Sequence, residues 1–425
     1  MLEIIKKSEF TKNVFILTTG SSVAQLIPFA AEPVLSRMFT PAEFGVFEIY
    51  AAIVIILGSI ASARYELAIL LPKLENKAIN VLGISLLIVI TFSCAILFGI
   101  LIARPQIVNL IHNPELAQFL LFIPLGVFLI GINRGFLHWS LRSKYLKNIS
   151  LSRISESSGR AGFSFLFGIL KMPSFGLVLG QIVGQVMSTS VLILKFILSD
   201  RNKYIFFSRK NILKQAKIYS EFPKINIPIA LTEMLQISGI VFIISFFFDN
   251  TIVGEFSKAL RILLIPLNLL GTSISQVFYQ KATKDYSKGI DISVNLKKIV
   301  KSLLLWTLPG FILFIFISPW LFGVFLGEEW SVAGEYARIL SFWIFFKFII
   351  SPVAIIPLIV NKQRQYFVLN LIGNLLMVFT LALSGMLMTG IFATLLILSA
   401  TQAVFQVFMY VKIMSAYKIA YNNKN

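Results

Sequence analysis

From Tyr366 to Val411 the chain runs for 46 residues without an Asp, Glu, Lys or Arg. A helix crossing the hydrocarbon core of a bilayer needs about 20 residues, at a rise of about 1.5 Å each. The run is too long for one crossing and fits two, with Gly385 and Gly390 marking a tight turn between them. Shorter charge-free stretches lie upstream, at Asn80–Ala103, Met172–Leu194 and Ser302–Gly327. Charged residues make up 13% of the 425, where a soluble domain carries roughly a quarter. A soluble fold is excluded, and the expected class is an all-α polytopic membrane protein.

The remaining apolar segments are Val14–Leu35, Phe47–Ala63, Gln118–Asn133, Ile154–Leu170, Ile225–Phe248, Val253–Phe278 and Ile339–Val360. The first is long and has no small-residue cleavage pattern near its end, so it reads as a retained helix and not a signal peptide. The total is twelve spans. Lys and Arg test that count, because they concentrate in cytoplasmic loops. With the N-terminus inside, alternate segments hold 30 basic residues on the inner side and 3 on the outer side, at Arg37, Arg104 and Lys171. Both termini are expected on the cytoplasmic side. The same bias accounts for most of the +19 net charge, so nucleic acid is not expected as a partner.

The longest inner loop is basic and reads as a surface-lying amphipathic segment. It divides the chain into a six-helix bundle at residues 1–198, a linker at 199–220 and a second six-helix bundle at 221–425. The halves share a local pattern, an apolar helix, a short outer turn and a Gly-x-Phe helix start, at Gly45-Val46-Phe47 and Gly254-Glu255-Phe256. Repeats that each begin inside and contain an even number of spans are parallel and pseudo-symmetric. Two parallel bundles of this kind are expected to enclose a central cavity. Pro28, Pro124, Pro266, Pro309 and Pro352 fall within spans, where kinks or hinges are expected.

Chemistry-bearing residues are few. Cys94 stands alone, His112 and His138 have no metal-ligand spacing, and no phosphate-binding loop or nucleophile elbow occurs. Neither a metal nor a catalytic group is expected. Charges inside spans are costly unless paired or wetted, so they mark function or helix locking. Lys258 and Arg261 share one helical face, and Glu255 can offset only one of them. Lys347 has no local acid and follows Trp343 by one turn. These three are the expected lining of a cationic cavity. Pairing with Glu233, Glu48 or Glu32 would make them helix locks instead. Glu156 and Arg160 read as a structural pair. Glu233 is the candidate carrier of a coupling proton or cation, so H+ or Na+ coupling is possible without any cofactor. Arg64 and Glu66 at the inner end of the second span, and Glu32 and Arg37 near the outer end of the first, suit the mouths of a cavity or gate ion pairs.

Longer strings carry a family resemblance. Ser36-Arg37-Met38-Phe39-Thr40-Pro41-Ala42-Glu43-Phe44-Gly45-Val46-Phe47 resembles the start of the bacterial polysaccharide biosynthesis exporters. These are the O-antigen and capsule repeat-unit flippases of the multidrug/oligosaccharidyl-lipid/polysaccharide superfamily. Arg64-Tyr65-Glu66-Leu67-Ala68-Ile69-Leu70-Leu71-Pro72-Lys73 is similar to a second stretch of theirs. Glu221-Phe222-Pro223-Lys224, Val253 to Arg261, Pro266 and Ser275 to Tyr279 look like the matching second half. The resemblance implies two pseudo-symmetric six-helix bundles forming a V around the cavity, in a bacterial cytoplasmic (inner) membrane, and alternating-access transfer of undecaprenyl-diphosphate-linked oligosaccharide across it. It carries Arg37, Arg64, Glu66, Lys258 and Arg261 over as substrate-side positions, with Lys347 added from its placement. The implied partners are the lipid-linked oligosaccharide, membrane lipids, and the polymerase and glycosyltransferases of the same pathway. Two alternatives stand beside it. An ion-coupled exporter of organic cations or drugs would want an acidic cavity. A membrane-embedded glycan-processing enzyme would want a large outer loop or clustered carboxylates, and Glu328-Glu329 is the only adjacent acidic pair.

Overall fold

A computed structural model describes residues 2–111, 113–206, 208–234 and 238–422. His112, the part of the seventh span at 235–237, and Lys424 in the C-terminal tail lie outside them. Among the described residues there are helices and turns and no strand, and the chain is an all-α polytopic membrane protein.

The helices follow the apolar segments in order. The first half holds α1 (Leu2–Met38), α2 (Pro41–Ile60), α3 (Glu75–Ile111), α4 (Phe122–Arg142), α5 (Leu146–Ile169) and α6 (Pro173–Asp200). The basic helix α7 (Arg209–Ile218), α8 (Glu221–Met234) and α9 (Ile240–Phe247) come next. Then follow α10 (Asn250–Pro266), α11 (Thr272–Ser287), α12 (Ser293–Leu326), α13 (Ser331–Ile350), α14 (Gln363–Met386) and α15 (Ile391–Asn422). Each of the twelve expected segments is mainly helical where it is described, with turns over residues 61–63 and 118–121 where helices were expected. Eight helices among the described residues are long and apolar enough to cross a membrane: α2, α3, α4, α6, α12, α13, α14 and α15, some with a short flanking turn.

The chain divides into two compact units, Met1–Phe242 and Ile243–Asn425. In the first, α5 packs along α6 and α1, and α4 packs on α2, α3 and α6. In the second, α13 packs on α10, α12 and α15, and α14 packs on α15.

Local sequence explains the breaks. Thr40 caps α2 by accepting the Glu43 N–H at 3.3 Å, and Glu43 accepts the Thr40 N–H at 2.8 Å, a reciprocal capping box. Asp249 caps α10 by accepting the Ile252 N–H at 2.9 Å. In each case a buried Gly follows the cap by five residues and a buried Phe by seven, so the Gly-x-Phe starts are true helix starts. Ala103 leaves helical geometry just before Pro105, whose ring and missing N–H break the ladder there. Pro266 closes α10, and the chain widens into a π turn over Leu267–Gly271.

The 46-residue run does break between Gly385 and Gly390. The left-handed residue in the turn is nevertheless not glycine but Met388 (φ 51°), with the Thr389 N–H bonded to the Ser384 carbonyl at 3.2 Å. Gly385 is needed for space instead, because a Cβ there would collide with the Phe247 ring.

Gly176, Gly180 and Gly184 form a small-residue ridge on α6 that lets α5 approach closely. A Cβ at Gly184 would lie 2.6 Å from the Glu156 carbonyl oxygen and 2.9 Å from the Arg160 nitrogen. Without a hydrophobic driving force between helices in lipid, such close contact is what holds a pair together. On the same interface Glu156 accepts from the Ser188 hydroxyl and lies within electrostatic reach of Arg160.

Helix α7 lies on the start of α3. The Ser208 N–H bonds to Asn80 Oδ1 at 3.1 Å, and the Tyr65 hydroxyl donates to the Ala216 carbonyl at 3.0 Å.

Candidate functional site

In the first unit the candidate site grows from the end of α2. After Ile60 the chain turns through Ala63 (φ 49°) and Arg64 (φ 63°), two consecutive left-handed residues without the freedom of glycine. Each such placement costs an L-residue about 1–2 kcal/mol. A tight helical turn, Tyr65–Leu70, follows at once. The fold holds this geometry from α4: Arg134 Nη1 donates to the Ser59 carbonyl at 3.1 Å, and Arg142 Nη1 donates to the Ile69 carbonyl at 3.1 Å.

The strained turn brings charge together. Glu66 is fully buried and accepts the Ser62 hydroxyl. Arg64 Nη1 stands 3.6 Å from Glu66 Oε1, and Arg64 Nη2 stands 4.0 Å from Glu233 Oε2 on α8. Arg134 lies within electrostatic reach of Glu66, Arg64 and Glu233. The two contacts of Arg64 are ion pairs at long range, not tight bidentate bonds. Arg64 Nε and Glu66 Oε1 are buried without a hydrogen-bond partner among the described residues. A basic and an acidic atom side by side, both unsatisfied, leave bonding capacity for a polar group.

In the second unit Lys347 stands apart from Lys258 and Arg261, which share α10. Lys258 is 2% exposed, with Nζ over the Trp330 ring at 4.7 Å. One turn before it, Glu255 is buried and accepts from Tyr336 on α13. Arg261, one turn further along α10, is half-buried. Lys347 lies on α13, seventeen residues past Trp330, or roughly 25 Å along the helix axis at 1.5 Å per residue. Its Nζ faces the Trp343 ring at 5.6 Å, and it has no ion pair among the described residues. Trp343 Nε1 is likewise buried without an acceptor. Lys258 and Lys347 therefore do not form one cluster, while Lys347 and the Trp343 N–H make a local pair of unsatisfied donors.

Of the other chosen residues, Arg37 is exposed and donates to the Pro33 carbonyl at 2.8 Å, one turn back. The structure thus joins Arg64, Glu66 and Glu233 and leaves Arg37 outside that group. Arg134, which was not among the chosen residues, joins the group from α4. Its signal was its place two turns inside the helix from Arg142. Ser62 and Tyr336 gave no signal of their own, since each matters only through the carboxylate it touches. Among the described residues no group of three His, Cys, Asp or Glu side chains is arranged to hold a metal.

Comparison with known proteins bears on this arrangement. A solved structure of the lipid II flippase MurJ, in an inward closed conformation, superposes with a TM-score of 0.69 over 95% of this chain and 87% of that one, at 14% identity. A multidrug resistance MATE family transporter of the MOP superfamily, in an inward-facing conformation, gives a TM-score of 0.59 over 96% of both chains at 12% identity. At those identities the likeness is one of fold. A Shigella dysenteriae protein, provisionally named as an O-antigen transporter, is 23% identical over 402 residues, 91% of this chain and 97% of its own length. The family model described as polysaccharide biosynthesis protein matches residues 34–335, which take in the α2 cap, the Arg64–Glu66 turn, Lys258 and Arg261. The chain belongs to the polysaccharide biosynthesis protein family.

Proposed function

We propose that this protein is a flippase that carries polyprenyl-diphosphate-linked oligosaccharide repeat units across the bacterial cytoplasmic membrane for surface polysaccharide synthesis. It acts as a transporter and performs no covalent chemistry. The observation that carries the reading is the Arg64–Glu66 turn, a strained, charge-dense element within the segment that matches the family. Family membership and the relative named for O-antigen transport support the substrate class.

The physical problem is to move a charged, sugar-bearing head through about 30 Å of hydrocarbon while its tail stays in lipid. Arg64 is suited to a phosphate because a guanidinium presents a planar set of donors and keeps its charge when desolvated. Its long contacts to Glu66 and Glu233 are weak enough to be exchanged for a phosphate. Release then restores the ion pairs, so the acids act as a built-in competitor for the substrate. Glu233 is the carboxylate that takes up a proton or a cation when Arg64 turns to substrate. Lys347 with the Trp343 N–H supplies a second polar foothold, for a phosphate or a sugar hydroxyl. Both termini face the cytoplasm, and the polymerase and glycosyltransferases of the pathway act on either side of the transfer.

Deletion in the native cell, followed by extraction of lipid-linked glycans, tests the reading. A complete diphosphate-linked repeat unit should accumulate in the inner leaflet while surface polymer is lost. Normal surface glycan combined with altered tolerance to organic cations would replace the reading with a drug exporter.

A further inference from the structure

The second unit contains a cavity of about 360 Å3 bounded by the start of α14, the turn before it and the last third of α15. Three cations line it, Lys362, Arg364 and Lys412, and no acid does so among the described residues. None of the three has an ion pair among the described residues. Lys412 makes only a cation–π contact, its Nζ lying 5.4 Å from the Phe408 ring centre. The remaining wall is apolar, with Ile356, Val360, Leu369 and Ile413 prominent. Asn361 is left-handed (φ 57°) and the Lys362 N–H bonds to the Pro357 carbonyl at 2.8 Å, which fixes the turn that presents Lys362.

The combination narrows the ligand. Three unpaired positive charges around one cavity repel each other and attract an anion. A free phosphate would leave the apolar wall unused, and a neutral lipid would leave the charges unmet. The surroundings are those of a lipid-facing surface, since Val404, Val407 and Val411 on α15 and Val368 on α14 are exposed. Basic pockets between membrane helices are suited to anionic head groups.

We propose that this cavity binds a phosphate-bearing anionic lipid. Lys362, Arg364 and Lys412 hold the phosphate, and Ile356, Val360, Leu369 and Ile413 receive the first carbons of the chain. Two sources offer that chemistry, a membrane glycerophospholipid and a polyprenyl phosphate. The site is built from the second unit alone and does not rest on the transport reading.

The test is native mass spectrometry on the purified full chain, titrated with dioleoyl-phosphatidylglycerol, dioleoyl-phosphatidylcholine or undecaprenyl phosphate. The wild type should retain the two anionic lipids over phosphatidylcholine. The triple variant K362Q/R364Q/K412Q should bind them about a hundred-fold more weakly, the loss expected when three basic residues near a lipid surface are neutralised. Val368→Trp, which fills the cavity and keeps every charge, should weaken binding as well. If the triple variant fails to fold, K412Q and V368W carry the test. Stronger retention of undecaprenyl phosphate assigns the site to the isoprenyl lipid, and stronger retention of phosphatidylglycerol assigns it to the bilayer. Equal retention of all three lipids by the wild type overturns the proposal. Unchanged anionic-lipid binding in the folded variants overturns it too.

Discussion

The Tyr417 hydroxyl donates to Asp291 Oδ1 at 2.7 Å and accepts the Ile292 N–H at 3.0 Å. One turn later the Tyr421 hydroxyl donates to the Gly289 carbonyl at 2.9 Å. The end of α15 is thereby fastened to the loop before α12. Asp291 also accepts the Ser293 N–H and hydroxyl, each at 2.8 Å. Burial pushes the Asp291 carboxyl up, but these donors and nearby Lys297 outweigh it and hold it below the usual carboxylate range.

A depressed folded-state pKa stabilises above the unfolded value, about 3.9 for Asp, and that contribution disappears as pH falls through the folded value. Asp291→Asn should therefore melt below the wild type at pH 7, with the gap closing as the pH drops beneath about 4. Tyr417→Phe should cost about 1–3 kcal/mol, because it orphans a buried N–H. Thermal unfolding in detergent across pH measures both, and a gap independent of pH would contradict the assignment.

Asp200 gathers three donors at the end of α6: Trp139 Nε1 at 2.8 Å, Lys203 Nζ at 2.8 Å and the Tyr145 hydroxyl at 3.3 Å. Asp200→Ala should destabilise by about 1–3 kcal/mol, since it leaves the buried Trp139 indole N–H without its acceptor, while Lys203 keeps Glu75 at 3.0 Å. Asp200→Asn should cost less. Equal melting of the two variants would show that an uncharged side-chain oxygen at this position does nothing for Trp139.

The turn at Ala63 and Arg64 separates backbone from side-chain effects. Ala63→Gly should be neutral or stabilising by about 1 kcal/mol, because glycine adopts the left-handed region freely. Arg64→Gly relieves the same strain but removes the guanidinium. If Arg64 handles substrate, R64G and R64A should both lose surface glycan while R64G melts no lower than the wild type. Full complementation by R64G would reduce Arg64 to a backbone element.

Gly184→Val places methyl groups where a Cβ alone already meets the Glu156 and Arg160 backbone. Helices α5 and α6 must then separate, and little or no folded protein should reach the membrane. Val at Gly162, which has open space around its Cβ, should be tolerated. Fluorescence-detected size exclusion of tagged variants distinguishes the two.

Lys347 carries an unpaired charge in a span, so Lys347→Met should raise the melting temperature. If that charge and the Trp343 N–H meet substrate, the stabilised variant should also lose surface glycan. A variant that is more stable and fully active would make Lys347 a bystander.

The sequence was most informative where physics is local or additive. Charge-free runs marked the membrane helices, and the starts of α2 and α10 were visible as repeated Gly-x-Phe strings, though the caps Thr40 and Asp249 were not singled out. Non-local features were not. The Gly176, Gly180 and Gly184 ridge has meaning only opposite α5, and Arg64 meets Glu66 and Glu233 only because two left-handed residues fold the chain back. Gly385 was read as a turn residue from its type, whereas its role depends on Phe247, more than a hundred residues away. Lys258, chosen for its charge, rests on Trp330, which lies far from it in sequence.

The paired caps bear on the order of events during synthesis. Thr40 and Asp249 each begin a helix from instructions held within a few neighbouring residues. The first half can thus start its second helix while the remainder is still on the ribosome. When the second half emerges, the same kind of signal starts its own helix without waiting for a template. A chain made this way is never required to hold all of its apolar surface unpartnered at once.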